Sequence, residues 1–210
     1  MEEYRYRDFW EFIKLLSDNS LLGHVIVVGS WAEYIYAQAG ILPGFEANLR
    51  TLDIDFLVRN MRRPATPVSV TALAKEAGYT VETDYMDGTT KIFTPDLMEI
   101  EFLIHQQGSG EEGIIKTNLG VTAQALRHLS ILRDHTLTVS VFNMDITVPV
   151  PEAYVLHKMV INNQRGKKAE KDRAAIENLY PFIDKDRFDN LKGILTAKEK
   201  RLVDNFSLSL

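Results

Sequence analysis

Asp53 and Asp55 stand two residues apart in the run Thr51-Leu52-Asp53-Ile54-Asp55-Phe56-Leu57-Val58. Asp is poorly suited to the middle of an apolar strand, so this placement asks for a compensating role. Side chains on a strand alternate between faces. Leu52, Ile54, Phe56 and Val58 are therefore expected to line a core, while Thr51, Asp53 and Asp55 project together from the other side. Neighbouring carboxylates raise each other's pKa unless a cation neutralises them, and hard divalent ions such as Mg2+ prefer oxygen ligands of this kind. The pattern reads as a metal site; the bland alternative is a half-exposed strand that carries acids on its outer face.

A second acidic face follows. In Met98–Ile104, residues Met98, Ile100, Phe102 and Ile104 share one side, with Glu99, Glu101 and Leu103 on the other. Upstream, the β-branched run His24–Val28 ends at Gly29-Ser30, and Trp31–Ala37 reads as a helix. Such a strand-to-helix turn offers a phosphate close backbone approach, a hydroxyl and the partly positive end of a helix, although Ser is also a routine N-cap.

The elements that must position these groups alternate along the chain. A helix is expected over Asp8–Ser17, then the two strands and helix above, a loop over Asn60–Pro67, a helix over Val68–Ala77, and strands at Tyr79–Thr83 and Lys91–Phe93. Gln106–Gly113 reads as a surface loop. Leu137–Phe142 and Ile146–Val148 flank Asn143-Met144-Asp145 as a hairpin, and helices are expected from Pro151 to Asn162 and from Lys168 to Leu179. The expected boundary is near Pro149: a mixed α/β part, residues 1–149, and a helical C-terminal part, residues 150–210, packed on it.

Composition narrows the chemistry. With 210 residues, no cysteine and a formal net charge of −5, the chain excludes disulfides, thiolate catalysis and Cys-rich zinc sites, and argues against non-specific coating of nucleic acid. The five histidines have no metalloprotease spacing and read as surface or capping residues. No apolar run is long enough for a membrane span, and Met1-Glu2-Glu3-Tyr4-Arg5 does not resemble a secretory signal, so the expected location is cytoplasmic.

The order Gly29-Ser30-x-Ala32, then Thr51-x-Asp53-Ile54-Asp55-Phe56, then Glu99-Ile100-Glu101-Phe102-Leu103 resembles the nucleotidyltransferase fold superfamily. Pro151–Lys158 followed by Lys171-Asp172 resembles the helical tail of its AbiEii-like bacterial stand-alone members. The resemblance implies a small mixed sheet flanked by helices and a helical C-terminal region. It also implies transfer of a nucleoside monophosphate from an NTP, ATP included, to an acceptor hydroxyl on RNA, protein or a small molecule, with release of pyrophosphate. By the same resemblance, Gly29 and Ser30 hold the triphosphate, Asp53 and Asp55 bind Mg2+ or Mn2+, and Glu101 is the third catalytic and metal-binding carboxylate, with Glu99 as a substitute on the same face. Two such ions would sit about 3.5–4 Å apart. Lys158 and Lys171 match the tail positions suited to phosphate charge. Arg165, Lys167 and Lys168 read as a solvated face, and Trp31, Tyr34 and Tyr36 as core. A toxin-type member would have a cognate antitoxin as partner, and a catalytically silent member would bind nucleotide or partner without turnover.

Overall fold

The chain, seen in a computed structural model, is described here for residues 6–49, 51–65, 67–108 and 113–207. The first five residues and all four residues between Gly108 and Gly113, part of the expected 106–113 loop, lie outside that range.

Strand β1 (Val25–Val28) is buried along its whole length, as an unbroken β-branched run requires, and runs antiparallel to β2 (Asp53–Val58). Helix α2 (Ser30–Gln38) connects them, its N-terminus set by Gly29. Helix α3 (Val70–Glu76) opens where the Ser69 hydroxyl accepts from the Ala72 N–H, and leads into β3 (Thr80–Thr83) and β4 (Thr90–Phe93). Strand β5 (Glu99–His105) lies parallel to β2 along one edge; its other edge is shared by β4 over the first half and by β7 (Thr122–Leu126) over the second. Strand β6 (Ile114–Lys116) pairs with β7, which completes the seven strands of this sheet among the described residues. The sheet is mixed, in the order β1-β2-β5-β4-β3.

Helix α1 (Arg7–Asp18) buries Phe9, Phe12, Ile13 and Leu16, and Phe9 stacks on Trp31 with ring centroids 4.1 Å apart. After α4 (Ser130–Asp134), the hairpin β8 (Thr136–Val141) and β9 (Met144–Pro149) runs into α5 (Pro151–Ile161). Tyr36 and Pro149 are joined by a 2.8 Å hydrogen bond from the phenol to the carbonyl. Helices α6 (Ala169–Leu179), α7 (Lys185–Ile194) and α8 (Ala197–Asp204) pack around α5, and their apolar residues belong to the same core as the sheet. This is the mixed sheet with flanking helices that the sequence led us to expect.

Three local expectations are corrected. Leu52 lies outside β2 and is 62 % exposed, because the strand starts only at Asp53; Leu57, on the acidic face, is fully buried because that face closes over towards the strand's end. The hairpin turns at Phe142-Asn143, both with positive φ, not at Asn143–Asp145. Strands β6 and β7 had no anticipated counterpart: in Thr122–Leu126 the buried positions are alanines, Ala123 and Ala125, too small to register as an apolar period.

Candidate active site

The parallel register of β2 and β5 brings the acids together. Asp53 lies beside Glu99 and Asp55 beside Glu101, each pair on neighbouring strands, which are about 4.8 Å apart. β1 adds the turn: Val28 is opposite Asp55, so Gly29 arrives directly over that carboxylate. Gly29 has φ +65° and ψ −157°, a conformation essentially open only to glycine, and a Cβ there would stand 2.7 Å from Asp55 Oδ2. Trp31 anchors the start of β2 through its indole N–H, donated to the Asp53 carbonyl at 2.9 Å.

Gly29, Asp53, Asp55 and Glu101 open onto one cavity of about 380 Å³, whose opposite wall comes from the segment after β7, α5, the turn after it and α6. That wall carries Arg127, His128, Tyr154, His157, Lys158, Arg165, Lys168 and Asp172. Acids of the sheet thus face cations of the helical region. Burial, then Glu101, then Asp53 push the Asp55 carboxyl up to about 6, against a partial pull from Lys168 and Arg165. Burial also raises Glu101. His157 is driven down to about 3 by burial and by Lys158, so it is neutral near neutral pH and brings no charge to the cavity.

The sequence-selected residues divide. Gly29, Asp53, Asp55, Glu101 and Lys158 share the cavity. Ser30 is half-buried in the first turn of α2, next to the lining but not part of it, and Gly29 rather than Ser30 is the N-cap. Lys171 is exposed and off the cavity wall, and acts instead on Glu33, whose carboxyl it partly stabilises against burial. Glu99 is also outside the lining. Arg165 and Lys168 are exposed, as expected of a solvated face, and at the same time line the cavity from the turns between α5 and α6.

Lys158 is not a bare phosphate ligand. It is buried and donates to Asp172 Oδ1 at 2.6 Å, while Arg165 reaches Asp172 Oδ2 at 3.0 Å. Burial opposes the Asp172 charge, but these two cations outweigh it and its pKa is lowered. Beside them, the Tyr154 hydroxyl donates to Glu33 at 2.5 Å, which ties α5 to α2. Sequence reasoning singled out Lys158 and Asp172 but missed their pairing with each other and with Arg165. It missed the Tyr154–Glu33 bond, whose one signal was Glu33, an acid on an otherwise apolar helix, and read the cavity-lining His128 and His157 as surface or capping residues. It also missed Lys91, which faces Glu99 and Glu101 from β4 at 2.5 and 3.1 Å.

The donor set suits a hard divalent cation: oxygens only, with burial first and then the neighbouring like charges disfavouring the Asp55 charge in the absence of a cation. Among the described residues no three acids or histidines stand ready-clustered around an ion, and Glu101 is engaged by Lys91. The fit therefore belongs to the aspartate pair. A larger groove of about 880 Å³, between α1, α2 and the β8–β9 turn, is lined by aromatic rings and mutually paired charges (Arg7 with Glu11, Lys14 with Asp18), with no converging acids.

The chain matches no curated protein. In fold it is similar to an antigenic nucleotidyltransferase-like protein from Paracoccidioides brasiliensis, at 14 % identity, TM-score 0.56, and coverage of 95 % of this chain and 87 % of that one. The solution structure of the antibiotic-resistance factor ANT(2'')-Ia is a more distant likeness, at 12 % identity, TM-score 0.48, and coverage of 97 % and 91 %. A family model described as Nucleotidyltransferase matches residues 7–197, nearly the whole chain, and the chain belongs to that family.

Proposed function

We propose that this protein is a metal-dependent nucleotidyltransferase that moves a nucleoside monophosphate from an NTP to an acceptor hydroxyl and releases pyrophosphate. The observation that carries the reading is the β2–β5 register, which sets Asp55 beside Glu101 under Gly29 and across one cavity from Arg165 and Lys168. Residues 1–149 serve as the catalytic part and residues 150–210 as the helical part that supplies the cations.

Asp53 and Asp55 are the ligands for Mg2+ or Mn2+, which when bound neutralises phosphate charge and polarises the reacting phosphorus. Gly29 lets the triphosphate approach the backbone at the head of α2. Lys168 and Arg165 offset charge on the departing pyrophosphate, and Asp172 holds Arg165 and Lys158 in place. Glu101, whose carboxyl is made more basic by burial, accepts the acceptor hydroxyl's proton as its oxygen forms the new bond to the α-phosphorus and the bond to pyrophosphate breaks. The helical tail favours an AbiEii-like member acting in the cytoplasm on RNA or protein, with a cognate antitoxin as partner.

The test is incubation with each α-labelled NTP and cell extract, followed by separation of RNA, protein and small molecules. Label should enter one fraction and vanish in Asp53→Asn/Asp55→Asn. Undiminished labelling in that variant would overturn the assignment.

A further inference from the structure

The acidic face of the sheet carries a fixed cation on β4, between Glu101 of β5 and Glu82 of β3. Strand by strand it reads Asp55 on β2, Glu101 on β5 and Lys91 on β4, with Lys91 opposite Glu101 in the antiparallel register. The Lys91 ammonium lies 2.5 Å from Glu99, 3.1 Å from Glu101 and 3.5 Å from Asp84, which closes the turn after β3. Three carboxylates converge on one half-buried lysine, two from β5 (Glu99 and Glu101) and one, Asp84, from the turn after β3.

We propose that Lys91 is a positioning residue that occupies the place of a second metal ion: it holds Glu101 as a proton acceptor, so that this site takes one divalent cation, on Asp53 and Asp55. The inference rests on the function proposed above and refines it. A second divalent ion bound through Glu101 would be brought close to an ammonium already within 3.1 Å of that carboxylate. Like charges at such separations repel strongly in a partly desolvated site. The same ammonium gives Glu101 a fixed direction, which a catalytic base needs more than it needs added negative charge. Glu99, paired at 2.5 Å and outside the cavity, becomes an anchor for Lys91 rather than a spare metal ligand.

The experiment counts ions. Mn2+ binding is measured by electron paramagnetic resonance with a non-hydrolysable α,β-methylene NTP present, for wild type, Lys91→Met, Lys91→Arg and Lys91→Met/Glu101→Gln, each shown to be folded by its thermal transition. Wild type and Lys91→Arg should hold one Mn2+ per protein–nucleotide complex, the ion that arrives with the nucleotide included. Lys91→Met should gain a second with affinity raised roughly tenfold or more, and the double variant should lose it again. Two ions in wild type, or the same count in wild type and Lys91→Met, would overturn the role of Lys91 alone. No ion in wild type, and no change in Asp53→Asn/Asp55→Asn, would overturn the proposed function and this refinement with it.

Discussion

Replacing Gly29 with alanine tests the contact between the turn and the acids. The cost has two parts. The first is conformational: φ +65° with ψ −157° is a region closed to a residue with a Cβ, worth on the order of 1–3 kcal/mol. The second is steric: the added methyl would meet Asp55 Oδ2 at 2.7 Å, so the carboxylate must retreat by about 0.7 Å to reach ordinary contact. Asp55 has little room to retreat, since it is half-buried with Glu101 in register beside it. A shift of this size exceeds the roughly 0.5 Å tolerance of a preorganised site and should lower turnover about a hundredfold. The two parts separate in a double-mutant cycle by urea unfolding of wild type, Gly29→Ala, Asp55→Ala and the double variant. Gly29→Ala should cost about 2–4 kcal/mol alone and about 1 kcal/mol less in the Asp55→Ala background, where only the backbone strain remains. Equal costs in both backgrounds would refute the steric contact, and an unchanged midpoint in Gly29→Ala would refute the strained turn itself.

Other consequences follow from the charges. Asp55 has a folded-state pKa of about 6 against an ordinary 3.8. The native state therefore binds more protons than the unfolded state between these values, and stability falls as pH rises through that window, by up to about 3 kcal/mol. In chelator, Asp55→Asn should remove this slope between pH 4 and 7, and in wild type Mg2+ should restore stability at pH 8; both are read from denaturant midpoints. Asp172→Ala leaves buried Lys158 without its partner and should destabilise the fold by about 3 kcal/mol, whereas a loss under 1 kcal/mol would show that the cluster relaxes into water. Lys168→Ala should weaken NTP binding about tenfold by calorimetry while Lys171→Ala changes it less than twofold, because only Lys168 lines the cavity; the reverse order would refute this placement of the triphosphate.

The acids and their strands were readable because the side-chain period of a strand is two and both runs keep it: Ile54 and Phe56, like Ile100 and Phe102, are buried opposite the carboxylates. The Gly29 turn was readable because a β-branched run cannot continue through Gly-Ser into an apolar helix without a sharp bend. The cationic wall was not. Arg165, Lys167, Lys168 and Lys171 lie within seven positions of one another, and spacing alone did not rank them; Lys168 faces the acids and Lys171 does not because two short 3-10 turns rotate the chain between α5 and α6.

The sequence by itself determined that two acidic strand faces and a glycine-led helix exist, since each depends on neighbours within a few residues. Tertiary structure alone decided that β2 and β5 are parallel and in register, that Glu101 rather than Glu99 opens on the cavity, and that Lys91 stands against both glutamates. Those are relations between strands far apart in the chain, set by which strand edges pair and at what offset, and local periodicity carries no information about either.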